Sequence, residues 1–493
     1  MAIYYVNPAI GSNGNNGTSV DTPFASFWAV ENLKLQPGDS VLLAAGSVFN
    51  DQLDLKYSGT ASAPITIGSY GVGDAPVIHS PGDGIHSLYA SNIVIENLKI
   101  SETAGAAIYG GYVSNWTVRN VEVENTGSST KSGSVTFRTG SNITIENSTI
   151  TGVNGDGVWI EKVNGVNFLN NTVTNAHGTA ADAVQMNDSS NIVISGNYLD
   201  QTGAATPKGV IALIRPVNAV VEDNTLIGGG FGISAQAGTN IAIHDNDISG
   251  YGGYSWSYAI GLGDQGNTRD YDISGNYIHD GVWGVAVSSA GTTSYVREGI
   301  EIYGNVFDDL SQAALKVDRP ASGSFHDNVI ASDVTPYSIS PAIIAANTFP
   351  VSNNTTLEEA QLAILDSHVA GDATHADATP TIVATHDSLK ISADADAHHG
   401  NLLENDSSAN GILLLRRFDG ELVNKNGLTL TGQYGTIHVD DHGDYSYTVD
   451  ATKLAGLSGE VSETFYYKIS DGAAHHFDTD TLSIFIHVDD LLS

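Results

Sequence analysis

The sequence predicts an all-β protein in two parts, a long repetitive one followed by a small β-sandwich, and three observations predict it. Gly, Asn, Ser, Thr, Val and Ile are abundant while strong helix formers are sparse, a composition of strands and tight turns. A short strand-and-turn motif recurs through the first two thirds of the chain. From about Leu389 that motif gives way to longer alternating strands of a different kind.

The repeat begins with Asn92-"IVIENLKI" and continues with Asn115-"WTVRNVEV", Asn142-"ITIENSTI", Asn191-"IVISGNYL", Asn218-"AVVEDNTL" and Asn240-"IAIHDNDI". Further copies are "VNFLNNTV" from Val166, "IEIYGNVF" from Ile300 and "GSFHDNVI" from Gly323. Each copy is a short alternating strand, an Asn turn and another apolar residue. One such coil cannot bury its inner face alone; stacking coils ~4.8 Å apart completes a core. Asn accepts left-handed turn geometry and can stack its amide on the next rung. The pattern therefore predicts a right-handed parallel β-helix over residues 1–350. Its open N-terminal end would be capped by an amphipathic helix and strand in "TPFASFWAVENLKLQPGDSVLLAAG", Thr22 to Gly46. Residues 351–388 read as a helix, "TTLEEAQLAILDSH" (Thr355 to His368), and a His/Asp/Ala/Thr linker. Residues 389–493 read as the sandwich.

The net charge of −36 argues against nucleic acid or an anionic membrane as partner. No apolar run approaches the roughly 20 residues of a membrane span. The absence of cysteine removes thiolate chemistry and disulfides. The N-terminus lacks a basic segment followed by an apolar core, so an ordinary signal peptide is not expected.

Register along the repeats comes from the seven-residue interval between an inward apolar residue and the next Asn: Val135 to Asn142, Val184 to Asn191, Ile211 to Asn218, Ile233 to Asn240. Alternation then gives one outward column of Thr136, Trp159, Gln185, Ala212 and Ser234, and a second of Arg138, Glu161, Asn187, Ile214 and Gln236. A third, at the strand end, holds Thr139, Lys162, Asp188, Arg215, Ala237 and Asp264. Before the strands, Asp156 and Asp182 share a column on adjacent rungs, with Gly209 after them and Lys208 beside it. Nine of the 19 basic residues lie between Lys131 and Arg319, so a basic, aromatic-bearing groove on an acidic body is expected, suited to an anionic polymer. Its candidate catalytic residues are Asp156, Asp182, Lys208, Glu161, Lys162 and Arg215. Its candidate substrate contacts are Arg138, Trp159, His177, Gln185, Asn187, Asp188, Gln236, Tyr254 and Trp256. Enlarged loops precede these strands, and "SGYGGYSWSYA" brings Tyr251, Tyr254, Trp256 and Tyr258 to wall a trough. The bland readings are a surface ladder of ion pairs in Lys162-Asp188-Arg215, each worth under ~1 kcal/mol, and Trp159 packed beneath a loop.

Two mechanisms fit these residue types. Hydrolysis needs a protonated carboxyl and a second carboxylate, which stacked Asp156 and Asp182 supply. Elimination on a uronate needs a cation over the carboxylate and a base for the C5 proton. Lys162, Lys208, Arg215, Arg138 and His177 are candidates, with Ca2+ on the Asp/Glu cluster an optional neutraliser and no other cofactor expected.

"YYVNPAIGSNGNNGTSVDTPFASF", the Asn ladder and the terminal domain together resemble pectate-lyase-like β-helix depolymerases of soil bacteria. The likeness is greatest to the type I-secreted exopolysaccharide glycanases of nodulating species. The terminal segment resembles VCBS/cadherin-like domains through Gly400-Asn401, Asn405-Asp406, Asp444-Tyr445-Ser446-Tyr447 and Ser470-Asp471-Gly472. The tail "DTLSIFIHVDDLLS" resembles an uncleaved type I secretion signal. "NGDG" and "AADA" resemble the aspartate motifs of polygalacturonases, and Lys208-Gly209 stands where that family has His-Gly. The resemblance implies a secreted or surface-associated, endo-acting depolymerase of acidic, uronate-containing exopolysaccharide, a lyase first and a hydrolase second. A C5-epimerase would use the same base and neutraliser. A non-catalytic matrix- or surface-binding protein is the alternative from another class.

Overall fold

The computed structural model describes residues 1–127, 133–179, 181–204, 207–288 and 294–357. It also describes 384–488 apart from 394–396, 409–412, 419–420, 424–426, 441, 455–456, 458 and 471–476. The chain divides into two compact units, Met1–Glu358 and Glu359–Ser493.

In the first unit each coil carries up to three short strands. Ala181–Asn187, Ser190–Ser195 and Tyr198–Asp200 pair in parallel with Pro207–Ile214, Val217–Glu222 and Thr225–Ile227, their counterparts one coil on. Stacking of such coils makes three flat faces around one apolar core. Alternation decides what each strand buries: in Val158–Leu169, Val158 and Ile160 are fully inside while Trp159 and Glu161 turn outward.

Asn makes two of the corners. Asn142, Asn191, Asn218 and Asn240 open the second face in the left-handed conformation, with φ between 54° and 58°, which Asn tolerates better than most residues. Their exposed amides stack rung to rung, as Asn142 Nδ2 does on Asn115 Oδ1 at 2.8 Å. A second ladder is buried. It runs Asn171, Asn197, Asn224, Asn246, Asn276, Asn305, Asn328 and Asn354; Asn171 Oδ1 accepts from Ser148 N–H, and from Asn197 on each side-chain oxygen accepts from both the backbone N–H and the Nδ2 of the Asn one coil before it.

The N-terminal cap differs from expectation in its parts. The helix is short, Phe27–Glu31, with Phe27 stacked on Phe49 at 4.8 Å. The edge strand Ile3–Val6 is covered chiefly by the loop before that helix. Tyr5 N–H donates to Gly17 O at 2.7 Å, and Phe24 N–H donates to Tyr5 O at 2.8 Å. The loop thus consumes the ladder groups an open edge would expose.

The far end corrects the expected helix from Thr355. Thr355–Leu357 is a strand paired with Val329–Ala331, because Asn354 accepts from Asn328 and extends the buried ladder one coil further. The solenoid therefore passes residue 350. The rest of that expected helix and its linker lie outside the described residues.

In the second unit one sheet orders Asp387–Ser392, Phe477–Val488, Gly459–Ser470, Leu414–Phe418 and Glu421–Leu422. The other orders Ala397–Asn401, Asp444–Val449, Gly435–Val439 and Leu428–Thr431. Leu415, Phe418, Ile437, Tyr447, Ile469, Leu482 and Ile484 form the core between them. The family-like residues are structural ties here. Asn401 Nδ2 donates to Asp444 Oδ1 at 2.7 Å, and Asn405 Nδ2 donates to the carbonyls of Thr385 and His386. Asp471, Gly472 and the last five residues lie outside the described residues. Among the described residues no helix is long and apolar enough to cross a membrane.

Candidate functional site

The outward columns on the first face have the register expected. Thr136, Trp159, Gln185, Ala212 and Ser234 are successive partners, and the column continues through Gly261, Ala286 and Lys316. Arg138, Glu161, Asn187, Ile214 and Gln236 form the parallel column. Thr139, Lys162, Asp188, Arg215 and Ala237 all sit at the left-handed corner that ends the face; on the next coil Gln265, not Asp264, takes that conformation.

At the start of the strands, Asp156 and Asp182 meet. Asp182 N–H donates to Asp156 Oδ1 at 2.7 Å. Asp182 is paired with Gly209, and a bulge between Ala181 and Asp182 leaves Lys208 as the extra residue of its strand. Bulges re-aim side chains, and here Lys208 Nζ comes to 3.2 Å from Asp182 Oδ2. The Asp182 side chain is 0% exposed and that of Lys208 is 40% exposed. Among the described residues Asp182 Oδ1 is buried without a hydrogen-bond partner. Burial pushes the Asp182 carboxyl up to about 7; Lys208 opposes the rise and the Asp156 charge adds to it. Burial pushes Asp156 up to about 6, against the pull of the Asp182 amide and of Lys208. Burial thus biases both carboxyls toward the protonated form.

An aromatic wall follows on the next coils. Phe231 fills the space above Gly209, where a Cβ would fall 2.1 Å from its ring, and stacks on Tyr258 at 5.7 Å. Tyr254 and Trp256 are stacked at 4.8 Å and 10°, about half exposed, with Tyr254 beside Gly230, whose N–H donates to the Lys208 carbonyl. Tyr251 does not join this wall: it is buried, and its hydroxyl donates to the Trp283 carbonyl.

The other candidates are not brought to the Asp pair. Asp188 lies six residues beyond Asp182 and Glu161 five beyond Asp156, so extended strands put them roughly 16–20 Å away. At that end Glu161 sits between Arg138 (3.7 Å) and Lys162 (3.3 Å). Arg215 grips Asp188 with Nε and Nη2 at 2.5 and 2.9 Å, and this holds Asp188 below the usual carboxylate range. The six proposed catalytic residues thus form two groups at opposite margins of one face. Between them lie Trp159, under the Arg138 guanidinium at 5.7 Å, and Gln185, whose Nε2 donates to Asn187 Oδ1 at 3.3 Å. Among the described residues the buried Trp159 Nε1 has no hydrogen-bond partner. The His177 ring is tied to the Asn175 carbonyl in the loop before the face, 3.1 Å away. Gln236 is buried, donating to Gly261 O and accepting from Asp264 N–H at 2.7 Å. Among the described residues no group of three or more His, Asp or Glu side chains is placed to hold a metal ion.

Sequence reasoning missed Lys316 and Trp283. The first column passes through Lys316, flanked by the buried Leu315 and Val317, so the alternation of "AALKV" was the available signal.

The bacterial Ig domain family matches residues 376–485. The chain is 45% identical over 101 residues to the calcium-binding lectin RapA2 of Rhizobium johnstonii, a stretch that is 19% of this chain and 42% of that one. It is 51% identical over 85 residues to a lacto-N-biosidase of Bifidobacterium longum, 16% of this chain and 5% of the relative. It thus spans less than half the length of the first relative and a small fraction of the second. The solved structure of XylC in complex with xylose superposes with a TM-score of 0.51 over 77% of this chain and 87% of that one, at 8% identity, which is a likeness of fold alone. The right-handed β-helix region family matches at 68–212 and 133–330, more than half of the sequence and the same coils that stack into the three faces. The chain belongs to the right-handed β-helix family.

Proposed function

We propose that the chain is a secreted, endo-acting depolymerase of an acidic, uronate-containing bacterial exopolysaccharide, and that it cuts by β-elimination. One observation carries this reading: the only surface of the Asp156–Asp182–Lys208 cluster that is substantially open belongs to a cation, Lys208, at the edge of an aromatic-walled face. A uronate meets Lys208 before it meets either carboxyl. The ammonium neutralises the sugar carboxylate and so acidifies the C5–H bond. The Asp pair behind it, both carboxyls raised toward neutrality, suits the proton transfers. One carboxylate of the pair takes the C5 proton as the C5–H bond breaks, that electron pair forms the C4–C5 double bond, the C4–O bond breaks, and the other carboxyl, held protonated by its raised pKa, gives its proton to the leaving oxygen.

Hydrolysis is the second reading. It is favoured by the two raised pKa values, which keep one carboxyl protonated beside a carboxylate near neutral pH. Secretion belongs to the same proposal, supported by the bacterial Ig domain match and the likeness to a lectin. Export by type I machinery would be checked by whether the C-terminal residues carry a reporter out of the cell.

The deciding experiment incubates the protein with a glucuronate-containing exopolysaccharide. Viscosity, reducing ends and absorbance at about 232 nm from the conjugated product are followed together. Viscosity loss with rising absorbance is expected. Viscosity loss without it replaces elimination by hydrolysis, and no change on several acidic polymers leaves only a binding protein.

A further inference from the structure

The first column ends in a depression of about 330 Å³ that neither Asp156 nor Asp182 lines. Gln236, Trp256, Tyr258, Asp264, Ser288 and Lys316 contribute to its lining. Lys316 is five rungs from Gln185, ~24 Å along the axis. The hollow thus runs from the aromatic wall, where Tyr258 still feels the Asp182 charge, to a Lys316 end that lies several sugar lengths from the Asp pair.

Its chemistry is that of a charged sugar. The volume is at the lower end for small-molecule sites. Trp256, 47% exposed, offers an aromatic edge of the kind that stacks on a pyranose. Lys316 Nζ rides 4.9 Å over the Trp283 ring, which fixes its direction, and contacts Asp318 Oδ2 at 3.5 Å. Ser288 Oγ donates to that same carboxylate oxygen at 3.0 Å. Among the described residues the Lys316 ammonium has one carboxylate partner, and its three donors leave capacity for a ligand in the hollow. Arg297 and Arg319 join Lys316 against Asp264 and Asp318, a local excess of one positive charge on a chain of net −36. Gln236 spends its amide on Ser234, Gly261 and Asp264, and so serves as a wall.

We propose that this hollow is a distal subsite for a carboxylate-bearing sugar, in which Lys316 pairs with the carboxylate while the ring rests on Trp256. The proposal rests on the reading of the chain as a polysaccharide-acting protein. It adds that recognition occurs several sugars from the cut, so that long acidic polymers are held and short oligosaccharides are not.

The test uses the full chain carrying Asp182→Asn, to suppress cutting, and affinity electrophoresis in gels containing a glucuronate-rich polysaccharide, native or with its carboxyls reduced to alcohols. Retardation is expected only in the native gel. Adding Lys316→Met weakens it about tenfold, the worth of one charge-assisted hydrogen bond, and Lys316→Arg restores it. Equal retardation by native and reduced polymer, no retardation by either, or a Lys316→Met protein retained like its parent would each overturn the subsite. Cleavage is read separately on the chain with Asp182 intact: failure to cut with retardation intact removes the depolymerase reading and leaves the subsite standing.

Discussion

Two buried polar columns run through the same solenoid, and they treat their polar atoms differently. In the Asn ladder every rung donates and accepts, so each amide is satisfied by its neighbour and by a carbonyl one coil away. In the Asp column Asp156 accepts from the amide of Asp182, but a carboxylate cannot donate onward. Asp182 is left with one oxygen on Lys208 and one without a hydrogen-bond partner among the described residues. An amide column stores stability, whereas a carboxylate column stores a proton.

That contrast is broken most sharply by chemistry. Asp182→Asn or Lys208→Ala should lower depolymerisation by about 10²–10³-fold, as loss of a proton-transfer group or its partner does; the rate of viscosity loss measures it. A loss under threefold in both would end the role of the Asp column.

The reciprocal change is Asn246→Ala. It removes an acceptor used by the backbone and side chain of Asn224 and a donor to Val221 O. Unfolding should become easier by about 3–5 kcal/mol, since several buried groups lose partners at once, while cutting at low temperature is kept. Denaturant melts of parent and variant check this.

The stability of the Asp column depends on pH in a fixed direction. Both carboxyls are raised, from ordinary values near 4 to about 6 and about 7. The folded chain therefore binds more protons than the unfolded one between those limits. Their contribution is fully present below about pH 4, declines as pH rises, and is lost above about pH 7. Asp182→Asn should raise the Tm at pH 8 by a few degrees and change it little at pH 4. A Tm gain independent of pH would contradict the buried, charge-averse site.

The smallest effect is expected at the opposite margin. Arg215→Ala removes a half-exposed pair with Asp188 and should cost under about 1 kcal/mol. Activity should fall less than threefold. A hundredfold loss would bring the far margin of the face back into the chemistry.

The fold was legible because its grammar is local. A left-handed Asn followed by alternating apolar residues sets the corner, the direction of each side chain and the pairing of the next coil, so the columns through Trp159 and Glu161 could be placed by counting. Distance along the strand was less visible. Asp156 stands just before the strand that carries Lys162, six positions on, and clustering in sequence concealed that gap. Tyr251 looked like its neighbours Tyr254 and Trp256 because loop composition does not tell which ring turns inward. Thr355 was read as helical because "LEEAQ" has helix propensity, while the pairing of Asn328 with Asn354 decides the strand from a distance.

The unbroken Asn ladder gives the molecule a fixed ruler. Every coil advances the face by one step of ~4.8 Å, close to the length of one sugar in a polymer. Insertion or loss of a whole coil between Gln185 and Lys316 would move the distal hollow by one such step and leave the Asp column intact. Product length in relatives would then be set by counting coils.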